Sequence, residues 1–140
     1  MNGKKVSPKL WMLRIDAGDK LPDSIIGFCR KNGIKTARVE GIGALRNVVL
    51  GFYSLERKQY FQHEYPEHHE LLLLKGNVTL KEGKPFLHAH AIIGKPNNAC
   101  FGGHLVRGEV SATLEVFIEE TEKPVERKSE KKTGLHVWKV

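Results

Sequence analysis

Residues 110–119 read Val-Ser-Ala-Thr-Leu-Glu-Val-Phe-Ile-Glu. Successive side chains of an extended strand point to opposite faces, so this order predicts a strand with one buried face. That face would carry Val110, Ala112, Leu114, Val116 and Ile118, and the opposite face Ser111, Thr113, Glu115 and Glu119. One apolar and one polar face are typical of an antiparallel sheet that covers a core on one side only.

Short segments rich in strand formers precede residues 110–119, each bounded by Gly, Pro or Asn. They predict strands at Leu10–Ile15, Thr36–Gly41, Val48–Ser54, Lys58–His63, Glu70–Lys75, Val78–Lys81, Phe86–Ile93 and Cys100–Arg107. Gly108 and Glu109 predict a tight hairpin into the 110–119 strand. Residues 135–140 are expected to form a final edge strand.

One segment follows a helical period instead. Leu21, Ile25, Phe28 and Cys29 fall on one face of a helix predicted over residues 22–31, with Asn32-Gly33 ending it. One helix among many strands predicts an α+β fold with a mostly antiparallel sheet. We expect a single domain over residues 1–140 with its core at about 10–120. Residues 119–134 are rich in both Lys/Arg and Glu, and we expect a mobile charged connection there.

The charge of the chain is uneven along its 140 residues. Residues 1–60 contain 12 Lys or Arg and five Asp or Glu, a net charge of +7, whereas residues 61–140 contain 11 of each. The excess excludes an acidic protein and leaves two interpretations open, a solubilising charge or a surface for nucleic acid. No apolar run is long enough to cross a membrane, and no secretory signal is recognisable, so we expect a cytoplasmic protein. The two cysteines, Cys29 and Cys100, predict buried thiols rather than a disulfide framework.

Three of the seven histidines suggest a metal site. His88 and His90 are two apart on a predicted strand, so both rings point to one face, and His104 opens a nearby strand. Three His ligands leave a coordination position open, as in a reactive zinc site, and Glu70 or Glu115 would orient the ligands from a second shell. The alternative is that these histidines only pack and form hydrogen bonds.

Two other patterns are weaker. Gly41-Ile42-Gly43 lacks the third glycine of a nucleotide-binding loop, which favours a turn or a bulge. A nucleophile made of Cys100 and His104 is conceivable, but a structural thiol is the favoured interpretation. With no hydrolytic or redox constellation in the sequence, a protein that is not an enzyme is favoured, and the question stays open.

Five segments together resemble a known family. They are Gly41–Leu45, Glu70–Val78, Gly83–His90, Gly102–Leu105 and Ala112–Val116, and in this order they are similar to the plant and prokaryote conserved (PPC) domain, also described as PD1-like. The resemblance covers about residues 10–120. It implies an antiparallel sheet core, a homotrimer, and a metal, such as Zn²⁺, near His88, His90 and His104.

The resemblance also implies a link to DNA, with one departure. Plant members carry an AT-hook of the Arg-Gly-Arg-Pro type, and this sequence contains no Arg-Gly-Arg. We therefore expect the stand-alone prokaryotic type, a DNA-associated regulatory protein with weak, non-specific DNA binding. The candidate phosphate contacts are Lys4, Lys5, Lys9, Arg30, Lys31, Lys35, Arg38 and Arg46.

Two other functions stay open. One is a metal-dependent protein or enzyme that binds a small molecule at the three histidines. The other is an oligomeric scaffold for protein partners.

Overall fold

The computed structural model describes all 140 residues as ten strands and one helix. The strands are β1 (Asn2–Lys5), β2 (Leu10–Asp16), β3 (Lys20–Leu21), β4 (Ala37–Ser54), β5 (Gln59–Tyr65), β6 (His69–Lys81), β7 (Lys84–Gly94), β8 (Cys100–Glu120), β9 (Arg127–Ser129) and β10 (His136–Trp138). The helix, α1, spans Asp23–Lys31. The predicted mostly antiparallel sheet with one helix is therefore confirmed.

Four strands of the main sheet form a closed circuit. The order β1-β2-β8-β7-β6-β4-β5 would be an open sheet, but β8 also pairs with β4. The strands β4, β6, β7 and β8 are thus each paired on two sides, always antiparallel. A closed circuit leaves no free edge among these four strands.

The helix covers the apolar interior beside β3 and β7. Ile25, Phe28 and Cys29 are its buried residues, and they join one cluster with the inward side chains of the sheet. Asp23 lies in the first turn and Arg30 and Lys31 lie in the last, which suits the helix dipole at both ends. No helix of the chain has the length and apolar character needed to cross a membrane.

The predicted hairpin at Gly108-Glu109 is wrong, because β8 runs straight through it. Glu109 pairs with Lys20 of β3 on one side and with Arg46 of β4 on the other, so both edges of the strand are occupied. Gly108 is buried within the strand, where it pairs with Leu21 of β3.

Two other predicted breaks are also absent. Thr36–Gly41 and Val48–Ser54 fall in the single strand β4, and Glu70–Lys75 and Val78–Lys81 fall in β6. Gly76 lies inside β6 because its neighbour comes very close: a Cβ at Gly76 would lie 2.3 Å from the carbonyl oxygen of His88. The glycine marks a close contact between strands and not the end of one.

The Gly41-Ile42-Gly43 segment forms the bulge that the sequence favoured. The register of β4 against β6 shifts between Gly41 and Gly43. Both glycines also lie against the backbone of β8, since a Cβ on Gly43 would be 2.2 Å from the carbonyl oxygen of Thr113. Any side chain at Gly43 would push β4 away from β8.

Residues 119–134, where the sequence predicts a charged connection, contain regular structure. β8 continues to Glu120, and β9 pairs with β10 in a separate two-stranded sheet. The Leu80 backbone N–H donates to the carbonyl of Val125 at 2.9 Å, and the Val125 N–H donates to Thr36 Oγ1 at 2.8 Å. The edge strand predicted over residues 135–140 is present as β10, but it pairs with β9 and does not lie at the edge of the main sheet.

The two thiols have different surroundings. Cys29 is fully buried in the core, and burial, together with the charge of Glu120, raises the pKa of its thiol to about 12. Cys100 is exposed, which corrects the prediction of two buried thiols. Its Sγ donates to the carbonyl of Asn98, and His104 lies four residues further along the strand, about 13 Å away. The two do not form a nucleophilic pair.

Alanine substitutions at two glycines should have opposite effects on stability, because one glycine packs tightly against a neighbouring strand and the other is exposed on the helix. Gly43→Ala should lower the free energy of unfolding by at least about 2 kcal/mol, because the new methyl group meets the β8 backbone. Gly27→Ala, on the exposed side of α1 with nothing within 4 Å, should raise it by about 0.5–1 kcal/mol. Denaturant titration of both variants measures the difference. Equal stabilities would contradict the tight β4–β8 contact.

Candidate metal centre

Adjacent strands bring the three predicted histidines together. His88 and His90 project from one face of β7, and His90 lies directly opposite His104 on β8. The ring centroids are separated by 5.4 Å (His88–His90), 5.3 Å (His88–His104) and 5.7 Å (His90–His104). The rings therefore form a nearly equilateral triangle.

Tyr60 holds one side of this triangle. Its ring stacks on His104 with a centroid separation of 4.9 Å and an interplanar angle of 30°. Gly51, the β4 residue opposite His104, makes room for the ring, since a Cβ there would lie 2.9 Å from Tyr60 Cδ1. Tyr53 supports Tyr60 from the other side, with centroids 4.9 Å apart. The stack restricts the orientation of the His104 imidazole.

Burial favours the neutral form of two of the three imidazoles. It lowers the pKa of His104 to about 4, with smaller contributions from the charges of His88 and His90. The pKa of His88 is lowered as well, first by burial and then by Arg127 and His90. Neutral imidazole is the form that binds a metal ion, so these two side chains are ready to act as ligands at neutral pH.

The donor set fits a divalent metal. One nitrogen from each of His88, His90 and His104 lies within 4.8 Å of the others. His104 Nδ1 is buried and has no hydrogen-bond partner in the chain, which is costly unless a ligand satisfies the ring. Three imidazoles suit zinc and other first-row divalent metals and leave a coordination position open.

A cavity of about 690 Å³ lies against His88 and His104. Tyr53, Tyr60, Phe86 and Trp138 give it aromatic walls, and Arg127 and Lys58 give it positive charge. Arg127 and Trp138 are partners in the small β9–β10 sheet. Neither residue is predicted as a site residue from the sequence, because residues 119–140 contain no motif and are typical of a charged connection followed by an edge strand.

The predicted second-shell carboxylates do not reach the histidines, which corrects that prediction. Glu70 lies five residues along β6 from Lys75, the residue opposite His90, or about 17 Å away. Glu115 lies eleven residues along β8 from His104. Both carboxylates line a different, shallow depression with Ile42 and Leu72. The spacing of residues along the sequence contained no information about this separation.

Four of the eight candidate phosphate contacts are paired with glutamates. Lys5 lies 3.2 Å from Glu120, and Arg38 lies 2.9 Å from Glu119. The other two pairs are Lys9–Glu122 and Arg46–Glu109. The glutamates belong to β8 and to the residues just after it. Their negative charge reduces the positive electrostatic potential around these four cations.

The other four candidates make no ion pair and are exposed: Lys4, Arg30, Lys31 and Lys35. Three of them lie at one end of the helix. Arg30 and Lys31 form its last turn, and Lys35 follows Ile34, whose backbone N–H donates to the carbonyl of Cys29. We call Arg30, Lys31 and Lys35 the basic patch. Lys4 lies apart from it, because Lys4 pairs with the exposed Met12 of β2, whereas its neighbour Gly3 pairs with the buried Leu13 on the side of the helix.

A family model described as the Plants and Prokaryotes Conserved (PCC) domain matches residues 3–122. The chain belongs to the PCC family. The resemblance inferred from five motifs is thereby confirmed. The match ends before β9 and β10, so the part of the cavity wall that contains Arg127 and Trp138 lies outside the residues that match the PCC model.

Solved structures agree with the PCC assignment. A plant- and prokaryote-conserved (PPC) protein of Pyrococcus horikoshii is 39% identical, with a TM-score of 0.88 over 94% of this chain and 92% of that one. A metal-containing protein of Archaeoglobus fulgidus is 38% identical, with a TM-score of 0.87 over 93% of this chain and 92% of that one.

A candidate DNA-binding protein of Bacteroides thetaiotaomicron shares the fold. It has a TM-score of 0.93 at 23% identity, over 98% of this chain and 95% of that one. A search of curated proteins finds no match to the chain.

Proposed function

We propose that this PCC protein holds a divalent metal, Zn²⁺ or a similar ion, on His88, His90 and His104 and binds a small molecule beside it. The observation that carries the proposal is the triangle of three imidazole nitrogens within 4.8 Å of one another next to a cavity. The Archaeoglobus fulgidus relative, described as metal-containing, supports it.

The residues of the chain have separate tasks in this proposal. His88, His90 and His104 would each supply one imidazole nitrogen, and Tyr60 holds the His104 ring in place through the stack. Zinc held by three imidazoles would leave one position open, where it would act as a Lewis acid on a small anion or water. No carboxylate lines the cavity to act as a general base, so binding is favoured over hydrolysis.

A second function, weak association with DNA, is favoured by the basic patch. Its three cations are exposed and have no carboxylate partner, so they are free to contact phosphates. The Bacteroides thetaiotaomicron and Ralstonia eutropha proteins of the same fold, both candidate DNA-binding proteins, support this idea. The chain has no base-reading element in the patch, which favours binding without sequence preference. A regulatory role in the cytoplasm stays a prediction.

A homotrimer is the third part of the proposal. Met12, Ile42, Leu72 and Phe117 are exposed apolar residues on the adjoining strands β2, β4, β6 and β8. Met12 lies opposite Phe117, and Ile42 and Leu72 share the shallow depression with Glu115, which is two residues from Phe117 on the same face of β8. We call these four residues the apolar patch. Contact between copies would bury it, and the assembly would offer a scaffold to other proteins.

Metal analysis of the purified protein tests the first proposal. The wild-type chain should contain close to one equivalent of divalent metal after loading and dialysis, and the His88→Ala/His90→Ala variant should contain less than a tenth of that. His63→Ala, which removes an exposed histidine of β5 outside the triangle, is the matched control and should keep its metal. Equal metal in all three proteins would remove the site.

Salt titration of binding to duplex DNA tests the basic patch. The affinity should fall as salt rises, and the Arg30→Ala/Lys31→Ala/Lys35→Ala variant should lower the log–log slope by about 0.9 for each phosphate that the protein no longer neutralises. Lys5→Ala/Lys9→Ala/Arg38→Ala removes the same number of charges from ion pairs and should change the slope less. No binding at low salt would end the DNA hypothesis.

Light scattering tests the assembly. A trimer of the 15.8 kDa chain should give a mass of about 47 kDa. Leu72→Glu, which places a charge in the apolar patch, should shift the mass towards that of one chain. Leu55→Glu alters an exposed leucine in the β4–β5 turn and should leave the mass unchanged. A wild-type mass of one chain would overturn the trimer.

A further inference from the structure

The cavity beside the histidines carries positive charge without any acidic side chain. Arg127 and Lys58 line it together with His88, His104 and His136, and neither Asp nor Glu is among its lining residues. A concave, partly desolvated surface of one charge sign attracts ligands of the opposite sign. Its chemistry is therefore suited to an anion.

Arg127 is the best placed anion-binding group in this cavity. It is half-buried and forms no ion pair with a carboxylate. Arginines that are removed from solvent are usually paired. Its Nε donates to Thr79 Oγ1 at 2.7 Å, its Nη2 to Asn77 Oδ1 at 2.8 Å and its Nη1 to the carbonyl of His136 at 2.7 Å. These bonds use three of the five N–H groups, so two remain for a ligand.

The surroundings hold the guanidinium ready for a ligand. Its carbon lies 5.3 Å from the ring centroid of Phe86, and Trp138 Nε1 donates to the same Asn77 oxygen that Arg127 uses. Burial lowers the pKa of Arg127 somewhat, but arginine keeps its charge in proteins. A fixed cation binds an anion with less loss of side-chain entropy than a free one.

A second cation and the aromatic walls define the rest of the site. Lys58 Nζ donates to the carbonyl of Lys131 at 3.1 Å and also has no carboxylate partner. Tyr53, Tyr60, Phe86 and Trp138 offer flat apolar surfaces. The volume of about 690 Å³ lies in the range of pockets for small organic ligands, roughly 300–1,000 Å³.

We propose that this cavity binds a small anionic molecule with a flat ring, whose carboxylate or phosphate group pairs with Arg127 and whose ring lies among the aromatic side chains. The inference rests on the proposed function, because it names the class of small molecule bound beside the three histidines. Arg127 and Trp138 lie outside residues 3–122, so this specificity belongs to the β9–β10 part of this chain.

Tryptophan fluorescence gives a direct measurement. Trp138 lines the cavity, whereas Trp11 packs against Phe28 of the helix and does not line it. A Trp11→Phe variant therefore has a single tryptophan, which lies in the pocket. Benzoate and phenyl phosphate are the probes, and they distinguish a carboxylate from a phosphate ligand. Benzamide tests the need for charge, and inorganic phosphate tests the need for the ring.

At least one of the two ring anions should change the fluorescence of Trp138 saturably, at least tenfold more tightly than benzamide and inorganic phosphate. Arg127→Gln should weaken that binding at least tenfold. Because Arg127 also bonds to Thr79 and Asn77, thermal melting must show that this variant is folded. Lys58→Met, which loses only a bond to a surface carbonyl, gives a second test and should weaken binding several-fold.

Measurements with metal, with EDTA and in the His88→Ala/His90→Ala variant separate the two proposals. If a ring anion binds in all three arms and its binding depends on Arg127, the anion pocket is supported. If the wild-type protein also contains no metal after loading, the metal proposal is overturned. Metal bound on the histidines with no probe binding in any arm would overturn the anion pocket alone. Binding unaffected by both Arg127→Gln and Lys58→Met would overturn it as well.

Discussion

The pairing of β4 with β8 is the contact on which the rest of the molecule depends. These are the two longest strands, and their pairing turns an open sheet into a closed circuit with β6 and β7. The contact needs a backbone without side chains at Gly41 and Gly43, because the neighbouring strand lies within 2.7 Å of where their Cβ atoms would be. Close packing of backbone against backbone thus decides the shape of the sheet.

The candidate site follows from the same closure. β8 passes from β7 to β4, so His104 faces His90 on one side and Gly51 on the other. The missing side chain at Gly51 admits Tyr60, which stacks on His104. A change in the register of β8 by one residue would turn His104 away from His88 and His90, since alternate residues point to opposite faces.

The pairing of β8 with both β2 and β4 also determines how much of the net charge of +7 is exposed to a ligand. The basic excess of residues 1–60 is met by glutamates from β8 and the residues after it, through Lys5, Lys9, Arg38 and Arg46. Exposed pairs of this kind add little stability, but they lower the local field available to a polyanion. Among the eight candidate phosphate contacts, the basic patch at one end of the helix and Lys4 remain unpaired.

The sequence alone determined the helix, the strand character of most of the chain and the grouping of His88 with His90, because a period of 3.6 or 2 is a local property. It misjudged Gly76 and Gly108 as strand boundaries, since a glycine inside a strand, such as Gly76 with its close contact to β7, looks the same in the sequence as one required for a turn. Tertiary structure alone decided that Arg127 and Trp138 lie beside His88, that Glu70 and Glu115 do not, and that Cys100 is exposed. Those outcomes depend on strand register and on where β9 and β10 return, which are contacts between residues far apart in the chain.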